Sequence, residues 1–250
     1  MIVSPPKAGK TTLLKMIAGM EETDEGQITR KNGLRIAYLP QNPEFPEGAT
    51  ILNYVTQDKE YEARNILNKL GITDHEEPIA ILSGGQKKRV ALAKALVNPA
   101  DVLILDEPTN HLDNEMVTWL EEYLIAFKGV IIMVTHDRYF LDRVTTRTFE
   151  IENQKITCYN GNYTKYKELK ALDRLTLERD YEKKQKEVKR IEGIIAKQKT
   201  FGQERNYVTI RSKQKQIDRI VDSMEKPDKE PESVRFSFQA CSSTGFDVLT

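Results

Sequence analysis

Two carboxylates, Asp106 and Glu107, stand side by side at the end of the run Asp101-Val102-Leu103-Ile104-Leu105. Four consecutive apolar residues between polar ones suit a strand buried on both faces of a parallel sheet. Acids at the carboxyl end of such a strand lie where open α/β sheets bind ligands. Adjacent buried carboxylates are costly without a cation or proton to offset them, and a metal–nucleotide complex would supply the cation. A second run of the same kind, Gly129 to Val134, ends in Thr135-His136-Asp137, so His136 is expected at the same edge, facing the same ligand.

Near the start, Gly9-Lys10-Thr11-Thr12 follows the short apolar stretch Met1-Ile2-Val3 and opens a helix with Leu13, Leu14, Ile17 and Ala18 on its apolar face. Strand, loop, G-K-T and helix form the setting of a phosphate-binding loop. Backbone N–H groups and the helix N-terminus would receive phosphate, Lys10 would reach the β- and γ-phosphates, and Thr11 would ligate Mg²⁺. The start of the loop departs from the full pattern, with Ser4 in place of a glycine, Pro6 lacking an N–H, and Lys7 where a glycine is expected. Leu82-Ser83-Gly84-Gly85-Gln86 precedes a helix expected over Lys87–Val97. Bare N–H groups behind two glycines make that helix start an anion site. Gln41, after a strand ending at Leu39, reads either as a solvated turn residue or as an amide that contacts Mg²⁺ or positions water.

The elements that must position these groups follow from periodicity. Gly26–Thr29 and Leu34–Leu39 read as two strands joined at Asn32-Gly33. Thr50–Gln57 and Glu60–Leu70 read as helices, the second capped by Gly71. His75, among acids, reads as an ordinary surface histidine. Asn114–Phe127 is expected to be helical, with Val117, Leu120, Leu124 and Phe127 at core spacing and Trp119 packing. Phe149–Ile151 and Lys155–Thr157 form a closing hairpin around Asn153. From Tyr163 to Lys199 there is no proline and one glycine, which predicts a helix on the order of 50 Å long. Leu169, Leu172, Val188, Ile191 and Ile195 form its narrow stripe. A break near Phe201-Gly202 leads to a second helix carrying Ile210, Ile217, Ile220, Val221 and Met224, and together they read as an antiparallel hairpin.

Lys plus Arg and Asp plus Glu each number 38, yet residues 164–226 hold 18 basic and 11 acidic groups. A basic segment beside an acidic body points to an anionic partner. Lys197, Lys199, Arg205, Arg211, Lys213 and Lys215, with Phe201 and Tyr207 among them, make nucleic-acid contact the expectation for the hairpin tip. The cysteines, Cys158 and Cys241, have no metal-ligand spacing and suit a reducing compartment. No apolar run reaches the roughly 18 residues that span a membrane. Both ends are abrupt, and the chain reads as a piece of a longer one.

In order, G-K-T-T, Gln41, L-S-G-G-Q, L-I-L-D-E-P-T-N-H-L-D and V-T-H-D-R-Y-F-L-D resemble the nucleotide-binding domain of ABC ATPases over about residues 1–158. D-E-P-T-N-H-L-D with T-H-D-R-Y-F-L-D, Gly161-Asn162-Tyr163 and a basic hairpin resembles the ABC-F family. The resemblance implies an α/β fold, a P-loop NTPase domain of the ABC type, followed by a long antiparallel helical hairpin. It implies an incomplete first ABC domain at 1–158, a basic interdomain linker at 159–226, and the opening of a second ABC domain at 227–250, its first strand Val234–Phe238.

The resemblance also implies ATP and Mg²⁺ as cofactors, a cytoplasmic protein on the ribosome, contact of the hairpin with tRNA and rRNA, a second ABC domain in cis, and no membrane partner. Gly9, Lys10, Thr11 and Thr12 would hold phosphate. Thr11, Gln41 and Asp106 would serve the metal, Glu107 would polarise the attacking water, and His136 would contact the γ-phosphate. Ser83, Gly84, Gly85 and Gln86 would face ATP held by the opposite domain, and Asp113 would lie between the domains. An arm insertion known in the family is absent or minimal between Gln41 and Ser83. A transporter ATPase subunit shares the ATP motifs but needs no basic hairpin after His136. A DNA-associated ATPase would carry its coiled coil before the signature, and the altered loop leaves a non-hydrolysing remnant as a further reading.

Overall fold

The computed structural model describes residues 1–3, 9–56, 58–152, 154–200, 205–224 and 226, with the side chains of 200, 205 and 206 excepted. The loop residues Ser4, Pro6 and Lys7, the break at Phe201-Gly202, the side chain of Arg205, Cys241, and the linker and strand expected over 227–250 therefore lie outside the described residues. Met1–Lys170 forms one compact unit and the chain from Ala171 another.

Three strands form a parallel sheet in the order β2 (Ile36–Leu39), β3 (Val102–Asp106), β4 (Val130–Val134). Leu39 aligns with Leu105, and Leu105 with Met133. Side chains alternate across a strand, and β3 shows the consequence. Leu103 and Leu105 enter the main core, whereas Ile104 enters a second core with Leu14, Ile2 and Val134. Both faces are covered, which is why the sequence there is a continuous apolar run. The exposed pair Arg35–Asp101 (3.0 Å) sits at the start of this register, and Arg35 holds the Asp101 carboxyl below its ordinary range by hydrogen bonding.

Helix α1 (Lys10–Ala18) supplies Leu14 to the second core. The main core is filled by α2 (Ile51–Val55), α3 (Glu60–Lys69), α4 (Gly84–Val97) and α5 (Asn114–Ala126), with Trp119 packed against it. A second sheet runs β1 (Ile2–Val3), β5 (Arg147–Glu152), β6 (Lys155–Asn160); β1 pairs parallel and β6 antiparallel to β5. An apolar cavity of about 970 Å³, lined by Met1, Ile131, Met133, Leu124 and Phe149, opens beside β4 and carries no carboxylate among the described residues.

Two expectations need correction. Residues 26–35 form no strand; only Ile36–Leu39 does. A turn closes at Lys31–Leu34 (3.2 Å), but Gly26–Thr29 is exposed. Arg30 instead donates to the Met16 carbonyl at the end of α1 (2.8 Å). A two-stranded ribbon with no buried face has too little to hold it. His75 is not a surface residue: it is buried, with Nε2 against the Ile72 carbonyl and Asn68 and Nδ1 against Arg64, each within 3.1 Å. Its acidic sequence neighbours point outward while the ring is enclosed by α3.

Beyond β6, α7 (Tyr163–Thr200) and α8 (Arg205–Asp222) are helical as periodicity predicts. Ile191, Ile195 and Ile217 form a small buried core with Val188, Ile210 and Ile220 around it. Lys184 near the middle of α7 donates to the Ser223 carbonyl after α8 (2.5 Å), which fixes the two helices as antiparallel. Leu172 and Val221, also in the predicted stripes, are half or more exposed. Among the described residues no helix is long and apolar enough to cross a membrane.

Candidate active site

The G-K-T segment and the β3 acids meet directly. Gly9 caps α1 with φ 77° and offers no side chain to the first-turn amides. A left-handed cap of this kind favours glycine, and it leaves the helix N-terminus bare toward an anion. One residue into α1, the Thr11 hydroxyl donates to Asp106 Oδ2 (2.8 Å) across 95 residues of chain. Asp106 is 3% exposed. Burial pushes its carboxyl up from the usual value, against the Thr11 hydrogen bond and the charge of Lys10. Lys10 and Thr12 lie on the same first turn of α1.

Glu107 follows with φ 56°, an uncommon conformation for a residue with a side chain. Its amide is tied to the Val134 carbonyl at the end of β4 (2.8 Å). Such backbone outliers cost on the order of 1–3 kcal/mol and persist where surroundings enforce them. Here the turn aims the carboxylate at the next strand end. Glu107 Oε1 lies 3.4 Å from His136 Nε2, and Oε2 accepts from the His136 amide at the same distance. The glutamate side chain is 7% exposed, the histidine side chain 84%. Burial raises the Glu107 carboxyl, and the His136 charge acts against that shift. Thr135 and Thr109 share a hydrogen bond (3.0 Å) that braces the two loops.

Gln41 lines a cavity of about 10 Å³, room for about one water, together with Asp106, Glu107, Pro108 and Lys88. Gln41, Asp106, Glu107, Thr11 and His136 are therefore gathered at one sheet edge. Thr11, Asp106, Glu107 and Gln41 offer hydroxyl, carboxylate and amide oxygens, the set that suits a hard cation such as Mg²⁺. Sequence reasoning missed Tyr38. Its hydroxyl is buried and has no hydrogen-bond partner among the described residues, and burial, then the charges of Asp106 and Glu21, push its pKa up to about 12. The signal was a polar tip inside an otherwise apolar strand.

Ser83, Gly84, Gly85 and Gln86 are not part of this cluster. Helix α4 begins at Gly84, three residues earlier than the expected Lys87. Ser83 and Gln86 form a capping box: the Gln86 amide donates to Ser83 Oγ (3.3 Å) and the Ser83 amide to Gln86 Oε1 (2.9 Å). A Cβ on Gly84 would meet nothing within 4 Å, whereas Gly85 lies under His111. Lys88, Arg89 and Leu92, further along α4, line the small cavity with the acids. Asp113 caps α5 by accepting from the Met116 amide (2.9 Å).

Two family models, each described as ABC transporter, match residues 2–110 and 149–238. The chain belongs to the ABC-F family of ATP-binding proteins. Among its curated relatives, the uncharacterized ABC transporter ATP-binding protein YfmR of Bacillus subtilis is 41% identical over 76% of this chain and 36% of its own length. The ribosome protection protein VmlR of the same organism is 34% identical over 98% of this chain and 46% of its own. A solved structure of the archaeal ribosome recycling factor aABCE1, in complex with the ribosomal stalk protein aP1, matches with TM-score 0.57 and 28% identity over 68% of this chain and 36% of that one. This ABC-F chain thus spans less than half the length of these relatives. Its ABC ATPase domain implies ATP binding.

The basic side chains picked out for nucleic acid lie on α7 and α8. Lys197, Lys199, Arg211 and Lys215 are exposed; Lys213 is half-buried, and its charge helps hold the Glu187 carboxyl low, after the Arg190 hydrogen bonds. Tyr207 is 74% exposed.

Proposed function

We propose that this chain carries the first ATP-hydrolysing domain of an ABC-F protein that acts on the ribosome in the cytoplasm, with residues 159–226 as a linker whose basic tip contacts tRNA or rRNA. The observation that carries the hydrolytic part is the pairing at one sheet edge of Thr11 with Asp106 and of Glu107 with His136. Thr11, Gln41 and Asp106 would hold Mg²⁺, which supplies charge neutralisation to the phosphates when bound. Gly9 to Thr12 bind phosphate at the start of α1. Glu107, kept protonatable by burial, orients the attacking water and accepts its proton. His136, exposed beside it, is placed to hydrogen-bond the terminal phosphate oxygen. Positioning and charge stabilisation of this kind account for most of phosphoryl-transfer catalysis.

The ribosomal part is supported by the similarity to the ribosome protection protein and to the ribosome recycling factor, and by the exposed cations of the hairpin. A transporter subunit has no use for α7 and α8. With Ser83–Gln86 outside the lining of the cavity beside their own acids, this domain lends its signature to a second ABC domain and receives one in return. Co-sedimentation of the full-length protein with ribosomes in ATP tests the proposal. The Glu107→Gln protein should remain in the ribosomal pellet while wild type is released. Loss of both from the pellet would refute the ribosomal reading.

A further inference from the structure

The segment that leaves the site after His136 ends on the root of the long helix. Helix α6 (Arg138–Val144) starts two residues after His136, capped by Asp137, which accepts from the Phe140 amide (3.1 Å). One turn later the half-buried Asp142 carboxylate faces the first residues of α7. Asp142 Oδ1 accepts from the Thr164 amide (2.7 Å) and Oδ2 from the Thr164 hydroxyl (2.5 Å). The Asp142 carbonyl accepts from Asn162 Nδ2 (3.2 Å), and Asn162 Oδ1 in turn accepts from the Lys165 amide (3.0 Å). Gly161, at φ 146°, allows the close approach, because a Cβ there would fall 2.6 Å from Lys165 Cβ.

The first amides of a helix have no partner within it. Here they are met by a side chain from another element, and a carboxylate at that end is further favoured by the helix dipole. A second set of contacts, Tyr166 with Glu150 and Lys170 with Glu150 and Glu152 (2.6 Å each), fastens the same root to β5. The root of α7 therefore touches two parts of the domain. One is the closing hairpin. The other is a seven-residue helix, roughly 10 Å long at about 1.5 Å per residue, that follows the His136–Glu107 pair.

We propose that Asp142 is a positioning residue tying α7 to the His136 segment, so that movement of His136 on a bound terminal phosphate is delivered to the root of the helical hairpin. This rests on the ATP reading above. A bare cap would stabilise α7 without linking it to α6, and the two differ in what opens together.

Native-state hydrogen exchange in a urea series, on the whole chain without nucleotide, should show Phe140 and Leu141 of α6 opening together with Thr164 and Tyr166 of α7. Asp142→Ala should speed exchange at Thr164 and Tyr166 at least tenfold, leave Phe140 and Leu141 within about twofold, and separate the two openings. Asp142→Asn keeps an acceptor oxygen and should stay within about threefold of wild type; Thr164→Val, losing one bond, should fall between. With ATP and Mg²⁺, exchange at Thr164 and Tyr166 should change at least threefold in wild type and not in Asp142→Ala, whose ATP affinity should stay within about twofold. Independent openings in wild type would overturn the proposal. So would an ATP response that survives Asp142→Ala, or a root unchanged in ATP-bound wild type. Absence of ATP binding would instead count against the ATP reading, and the urea series alone would then decide the tie.

Discussion

At the scale of single residues, the site places its acids where they destabilise the protein without ligand. Asp106 and Glu107 both have carboxyl groups raised by burial. A raised folded-state pKa means that the native protein holds the proton more tightly than the unfolded chain. Below the unfolded value the stabilisation is fully present, and it is lost as pH rises through the folded value, so in the absence of nucleotide these carboxylates weaken the fold at neutral pH. Asp106→Asn retains an acceptor for the Thr11 hydroxyl and removes the charge. It should stabilise the nucleotide-free chain at pH 7 by on the order of 1 kcal/mol, the usual exchange of function against stability, and should abolish Mg²⁺-dependent ATP binding. Urea denaturation at pH 7 and at pH 4 checks it, since the gain should shrink at the lower pH. In the protein joined to a second ABC domain, Glu107→Gln should lower single-turnover hydrolysis by a factor of about 100 or more, in the range that removal of one catalytic group costs, and leave ATP affinity nearly unchanged in equilibrium binding. Most of these residues were legible in the sequence, because phosphate chemistry forces types and order: G-K-T before a helix, acids after an apolar run. The burial of the Tyr38 hydroxyl and the contacts of Asp142 with Thr164 were not, since they depend on which distant side chains the fold sets against them.

At the scale of elements, legibility tracked burial. The β3 run was readable because both of its faces are covered, and α3, α5 and α7 because their stripes are long. The segment 26–35 failed because alternation marks a strand only where one face is buried, and there neither is. His75 failed for the opposite reason: its neighbours in sequence are acids, but its neighbours in space are Arg64, Asn68 and the Ile72 carbonyl. The capped start of α4 gives a prediction at this level. Ser83→Ala removes the acceptor for the Gln86 amide and should cost about 1 kcal/mol, read as a lower urea midpoint with unchanged slope. It should leave ATP binding by this chain intact, because the capping box lies outside the cluster around Asp106.

At the scale of the whole molecule, charge and composition divide the labour. Residues 1–163 hold 18 basic and 23 acidic groups, and residues 164–226 hold 18 and 11. An acidic body repels a polyanion while a basic segment attracts one, so under the proposed function the hairpin, not the body, should meet RNA first. If Lys197, Lys199, Arg211 and Lys215 each neutralise a phosphate, the log of the binding constant should fall with log salt at a slope of about −3 to −4. Reversing these four charges to Glu should weaken binding to a structured RNA at least tenfold and flatten the slope, while ATP binding by residues 1–158 stays as in wild type. Fluorescence anisotropy with a tRNA-sized probe at several salt concentrations reads both quantities. A slope unchanged by the four substitutions would place the RNA contact elsewhere. The same separation bears on catalysis. Since Ser83–Gln86 do not line the small cavity beside Asp106 and Glu107, this chain alone should hydrolyse ATP close to background. Covalent joining to a second ABC domain should raise turnover by a factor of about 100, the scale expected when charge-stabilising donors are added to a transition state. Robust turnover by the single chain would mean that its acids do not wait for a partner's signature.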